Sequence, residues 1–160
     1  MSKLRHIDWN ERLDPGANAR RQLSRLVADY FVMLRGLLQG NPSPLELHQA
    51  RLASKRVRYT LELFRPCYGP GLELRLDALR RLQQVLGEVN DAAATRRLLG
   101  KALTAATPQN QLVAKFLDAR AEAMALEFRK EWTEVFDAPG QFQWWFGYLA
   151  RHGRTPGRRP

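Results

Sequence analysis

The side chains best suited to chemistry in this sequence stand in one run, His48-Gln49-Ala50-Arg51-Leu52-Ala53-Ser54-Lys55-Arg56-Val57-Arg58-Tyr59. At about 100° per residue on a helix, Arg51, Lys55 and Arg58 trail His48 by about 60°, 20° and 80°, so the four share an arc of about 80°. Ala50, Val57, Leu61 and Phe64 centre on nearly the opposite side. One face is therefore core and the other a cationic stripe about 15 Å long, enough to follow several successive phosphates of an extended chain. Like charges three and four residues apart oppose the isolated helix by a few tenths of a kcal/mol per pair, a penalty that a bound anion relieves. Most charge runs on helices are solvated faces. Here interleaved carboxylates are scarce, with Glu62 at the far end, and a histidine near the helix start is an unusual choice for a merely soluble surface. Charged, His48 adds a cation; neutral, it still donates a hydrogen bond, so anion binding is expected to tighten as pH falls.

The elements that must carry this stripe follow from hydrophobic periodicity. Leu23, Leu26, Val27, Tyr30, Leu34 and Leu37 recur at three- and four-residue steps and predict a helix over 17–39, closed by Gly40 and Asn41. Ser43-Pro44-Leu45-Glu46 reads as a capping box opening a second helix that runs to about Phe64. After the turn cluster 66–71, Leu72, Leu76, Leu79, Leu82 and Leu86 predict a third helix, with Gly87 as its stop and Asn90-Asp91 as a fresh N-cap for a fourth over 92–105. Thr107-Pro108 opens a helix to Phe136 with Leu112, Phe116, Leu117, Met124, Phe128 and Trp132 facing inward, and a short helix covers about 141–150. No stretch alternates with period two. The expected fold is all-α, an up-and-down bundle of about four core helices plus a short C-terminal helix. Residues 1–16 read as an extension, 17–150 as the domain and 151–160 as a basic disordered tail.

Composition narrows the partner. The chain has 160 residues and a formal charge of +10, and all but five of its 26 basic residues are arginine, whose planar fork binds phosphate oxygens bidentately. Residues 17–101 hold fifteen basic and seven acidic side chains (+8), whereas 102–150 hold four and six (−2) and 151–160 hold four and none (+4). The middle of the chain should attract polyanions and the second half should behave as neutral scaffold. No apolar run approaches a membrane span and no signal peptide is visible, so a cytoplasmic location is expected. Cys67 is a single cysteine beside Pro66, a bystander.

The spacing His48-x-x-Arg51-x-x-x-Lys55-x-x-Arg58-Tyr59-x-Leu61-Glu62-Leu63-Phe64, followed by Leu79-Arg80-Arg81-Leu82-Gln83-x-x-Leu86-Gly87-x-x-Asn90-Asp91, resembles the conserved-histidine α-helical domain, the CHAD family, over roughly residues 17–137. The resemblance implies a helical domain that binds inorganic polyphosphate on a strongly basic surface, is associated with polyphosphate granules and sometimes accompanies triphosphate-tunnel enzymes. It carries His48, Arg51, Lys55 and Arg58 over as phosphate contacts, with Arg80 and Arg81 extending the surface and Arg20, Arg21 and Arg25 as further candidates. Arg96 and Arg97 read equally well as solvated, and Arg56 as a snorkelling flank residue. The family domain usually has two similar four-helix halves around a pseudo-twofold axis. This chain resembles a single repeat, closer to the second half, so a homodimer is the expected way to restore the two-half surface.

Other readings are weaker. His6, His48 and His152 lack metal-ligand spacing, and no Gly-rich phosphate loop or serine nucleophile elbow is present, so neither catalysis nor a metal nor any other cofactor is expected. Nucleic acid would be bound only non-specifically, because aromatic residues are not interleaved with the basic ones. Phe142, Trp144, Trp145, Phe146 and Tyr148 before a basic tail read as a lid on the bundle or a dimer interface rather than a membrane-surface helix.

Overall fold

A computed structural model describes residues 4, 6–102 and 107–157. Five α-helices follow one another, α1 (Pro15–Leu38), α2 (Pro44–Leu63), α3 (Gly71–Ala102), α4 (Pro108–Lys130) and α5 (Gln141–His152), with a 3-10 turn Arg65–Cys67 and a π-helical turn Glu131–Phe136. No strand occurs among the described residues. The starts of α1, α2 and α4 are capped by a side chain. Asp14 accepts from the Ala17 N–H (2.9 Å) and Thr107 from the Asn110 N–H (3.2 Å), each directly before a proline. The capping box opening α2 is complete, with Glu46 N–H on the Ser43 hydroxyl (3.3 Å) and Ser43 N–H on Glu46 Oε2 (2.9 Å).

Side-chain contacts link α1 to α2, α2 to α3 and α3 to α4, and two of them show that α2 and α3 run antiparallel. Tyr30 of α1 meets Ser54 of α2 (2.6 Å), Asn90 of α3 reaches the Leu47 carbonyl of α2 (3.3 Å) while Arg80 lies by Glu62, and Arg96 of α3 pairs with Asp118 of α4. The core is leucine-rich where α1, α2 and α3 meet, through Leu23, Leu34, Leu61, Leu72, Leu76, Leu79 and Leu82. It is aromatic where α5 closes the bundle on α1: Phe31, Trp132, Phe136 and Trp145 stack or tilt at centroid distances of 5.1 to 5.4 Å. Of the crowded aromatic residues expected to form a lid or a dimer interface, Trp145 is buried and Phe142 packs against Phe31 as a lid does, while Trp144 and Phe146 stay exposed.

Three expectations are corrected. First, Gly87 and Asn90-Asp91 do not break the chain: α3 is one helix of 32 residues, about 48 Å long. Leu82, Leu86, Val89 and Ala92 form a continuous buried stripe across the expected break, which outweighs the roughly 1 kcal/mol penalty of a helical glycine. Asn90 is a bridge rather than a cap, its amide donating to the Leu86 carbonyl (2.7 Å) as well as to Leu47. The expected end of that fourth helix, at 105, lies outside the described residues. Second, the helix opened at Pro108 changes pitch after Lys130, where a π turn carries both Trp132 and Phe136 into the core and ends with the Asp137 N–H on the Trp132 carbonyl (2.7 Å). Third, Leu112 and Phe116 are 71% and 64% exposed, because this part of α4 projects past the other helices and meets only α3, through Leu117 and the residues in step with it.

The flanking segments pack on the bundle. Leu4 is buried, Trp9 stacks on Phe64 at 6.0 Å, and the Asn18 amide, wholly buried, donates to the carbonyls of Asn10 (2.8 Å) and Leu13 (3.0 Å). Part of the stretch expected to be disordered is docked: the Arg154 N–H donates to the Cys67 carbonyl (2.7 Å) and Thr155 bonds Asp14, while Gly16 passes so close that an added Cβ would lie 2.5 Å from the Arg154 carbonyl carbon.

Candidate functional site

The antiparallel pairing of α2 and α3 converts the cationic stripe into a groove. Arg51, Lys55 and Arg58 from α2 and Arg80, Gln83 and Gln84 from α3 line an open cavity of about 290 Å³. All but Gln84 are half-buried. Behind the stripe, Ala50, Val57 and Leu61 are buried in the core, so the arginines stand on a rigid element.

Glu62 organises the far end. Its Oε1 accepts from Arg58 Nη1 (3.0 Å) and from Arg80 Nη2 (3.3 Å), tying the two helices together, and Arg80 Nη1 also donates to Asp77 Oδ1 (2.7 Å). The bond to Asp77 pushes the Arg80 guanidinium above its ordinary range, with the Glu62 bond adding to it. The Arg58 guanidinium lies 4.6 Å from the Tyr59 ring centroid. Two buried donors beside the groove, Arg58 Nε and Gln83 Nε2, have no hydrogen-bond partner among the described residues. Both belong to residues of a cavity lined by four cations, a setting matched to an anion with many oxygens, but the two nitrogens themselves are shielded from solvent.

The remaining candidates lie elsewhere. His48 is exposed at the start of α2 and lines a second, larger cleft of about 1020 Å³ between α2, the end of α3 and the start of α4, beside Arg96, Arg97 and Lys101. Arg81 is exposed, one residue and thus about 100° round α3 from Arg80, and does not line the groove. The α1 arginines face away from it: Arg20 donates to the Gly153 carbonyl, while Arg21 and Arg25 line a small pocket with His6 and Asp8. Arg56 donates to the Leu4 carbonyl (3.2 Å), a link from α2 to the segment before α1. Sequence reasoning missed Gln83 and Gln84, whose signal was their spacing of three and four residues from Arg80, and it passed over Lys101.

The groove's side chains are arginine, lysine and glutamine, whose N–H groups can hold and orient an anion. Among the described residues no three histidine, cysteine or carboxylate side chains converge as a metal site, and no helix is long and apolar enough to cross a membrane. The Cys67 thiol is buried, which pushes its pKa up and suppresses its reactivity.

A comparison with protein-family models matches residues 5–100 to the one described as CHAD domain. The match starts earlier and ends earlier than the resemblance read from the motifs, leaving α4, the π turn and α5 outside it, but it contains every residue of the groove. No curated protein and no solved structure matches the chain.

Proposed function

We propose that this chain, which belongs to the CHAD domain family, is a non-catalytic module that binds inorganic polyphosphate along the α2–α3 groove. The observation that carries this reading is the convergence of Arg51, Lys55, Arg58 and Arg80 on one cavity. A linear phosphate chain presents an oxygen-rich edge at every unit, and the arginines can meet it with paired hydrogen bonds. On this reading the binding unit is 17–150, its home is the cytoplasm, in association with polyphosphate granules, and two copies pair as a homodimer that sets two grooves side by side.

The test is a competition at roughly physiological salt, since salt sensitivity alone is common to all polyanion binding. Labelled long-chain polyphosphate is challenged with heparin, DNA and RNA matched in charge, alongside an Arg51→Glu/Lys55→Glu/Arg58→Glu variant checked for helicity. Polyphosphate should win and the variant should fail to bind, and light scattering with and without ligand reads the oligomer. Equal competition by nucleic acid would support a generic phosphate-backbone surface instead, aided by Tyr59, which is exposed beside Arg58 and offers a face for a base. Unchanged binding by the variant would remove the groove from the site.

A further inference from the structure

We propose that the large cleft between α3 and α4 is a second polyphosphate subsite, in line with the groove, so that long chains bind across both and short chains occupy the groove alone. This rests on the polyphosphate reading above and adds to it a chain-length selectivity that the groove by itself would lack.

The two cavities lie in sequence along the same pair of helices. Because α2 and α3 are antiparallel, with Glu62 beside Arg80 and Leu47 beside Asn90, moving from Arg58 back to His48 on α2 is moving from Arg80 toward Asn90 on α3. The groove ends at Arg51, and His48 stands one turn further on, already on the wall of the cleft. Beyond it Arg97 and Lys101 continue on α3. From Arg80 to Lys101 the basic residues span about 31 Å of helix, about twice the reach of the α2 stripe, with the exposed carboxylates Glu88 and Asp91 standing between the two cavities.

The chemistry of the cleft matches that of the groove. Arg96 is held by Asp118, which is the cleft's one carboxylate among the described lining residues. His48, Arg97 and Lys101 are exposed and have no hydrogen-bond or ion-pair partner among the described residues. The rest of the wall is neutral, polar at Asn90 and Gln111 and apolar at Leu45, Ala93 and Leu117. Unpaired cations of one sign along a concave wall hold a polyanion and repel one another when it is absent. A compact anion cannot span His48 to Arg80; a linear one can.

The experiment measures binding across a length series from tripolyphosphate to long-chain polyphosphate, for the unmodified chain and for Arg97→Gln/Lys101→Gln. Both residues are exposed, so the fold should be undisturbed, and circular dichroism confirms it. Each phosphate contact on a single-stranded polyanion contributes about 0.7 to the slope of log K against log salt, so losing two should lower that slope by about 1.4 for long chains. If the two proteins bind equally near 1 M salt, the same slope makes the variant roughly tenfold weaker at about 0.15 M. Tripolyphosphate should bind both proteins within about twofold. Unchanged long-chain affinity in the variant, or an equal loss for tripolyphosphate, overturns the second subsite. Failure of the parent reading looks different: the unmodified chain would then bind no polyphosphate, or the groove triple variant would bind every length normally.

Discussion

Glu62 bridges two of the arginines proposed to hold phosphate, and replacing it with glutamine is the sharpest test of that proposal. Its Oε1 is 3.0 Å from Arg58 Nη1 and 3.3 Å from Arg80 Nη2, and its side chain is 27% exposed. A phosphate docked on the opposite edge of the Arg58 guanidinium would carry its charge about 7 Å from that carboxylate, where two like charges repel by about 0.6 kcal/mol in bulk water and about 2.4 kcal/mol at an effective dielectric of 20. A half-buried position falls between these, so removing the charge should improve polyphosphate binding by about 1 kcal/mol, roughly fivefold. Glu62→Gln keeps an acceptor oxygen of the same shape, so both arginines stay placed. It weakens two partly buried pairs, with Arg58 and Arg80, each worth up to about 1 kcal/mol, so a modest fall in the unfolding midpoint should accompany the gain in binding. Titration by calorimetry or fluorescence anisotropy at matched salt reads the outcome. Weaker binding by Glu62→Gln, with the fold intact, would refute the reasoning and make the carboxylate a strut whose charge is needed to hold the groove open.

Two further predictions concern the scaffold. Arg75, 4% exposed, has its guanidinium between the Trp144 and Tyr148 rings, 3.6 and 3.7 Å from their centroids, and donates to the Gly71 and Trp144 carbonyls; burial lowers its pKa to about 10. Two charge-assisted hydrogen bonds and two desolvated ring contacts, together about 5 to 7 kcal/mol, exceed the roughly 3 kcal/mol of desolvation, so Arg75→Met should lower stability by about 2 to 4 kcal/mol in urea unfolding; a variant as stable as the parent would remove Arg75 as the clasp between α3 and α5. Tyr30 and Tyr68 are raised above the ordinary value of 10.0, in both cases chiefly by burial. The folded state therefore keeps protons that the unfolded chain releases, and their contribution is full below about pH 10 and lost as pH rises beyond it. Tyr30→Phe/Tyr68→Phe should flatten the alkaline decline of the urea midpoint, and an equally steep decline would show that other groups govern it.

Helix α2 was legible because everything that fixes it is local: Ser43, Pro44 and Glu46 set the start and the apolar period sets the face. The continuity of α3 was not, because its cause is tertiary. Read alone, Gly87 followed by Asn90-Asp91 has the composition of a stop and a cap; in the fold Asn90 donates to Leu47, 43 residues away on another helix, and the break never forms. Leu112 and Phe116 illustrate a different limit. Periodicity says which residues share a helix face, but burial requires a neighbour on that face, and α4 has outrun the bundle where these two stand.

The same distinction governs the site. A single helix suffices to align Arg51, Lys55 and Arg58, so the stripe could be read from spacing. A stripe is only a line of charge, however, and any polyanion meets it alike. What adds shape is the register of α3 against α2, which brings Arg80 and Gln83 to the opposite wall while turning Arg81 to solvent, a difference of one residue that no motif in α2 encodes. Asn90 and Glu62 bridge the two helices at opposite ends of this packed register. Selectivity for a linear phosphate chain over a generic polyanion should therefore respond to Asn90 and Glu62, which bridge the two walls, as strongly as raw affinity responds to the arginines.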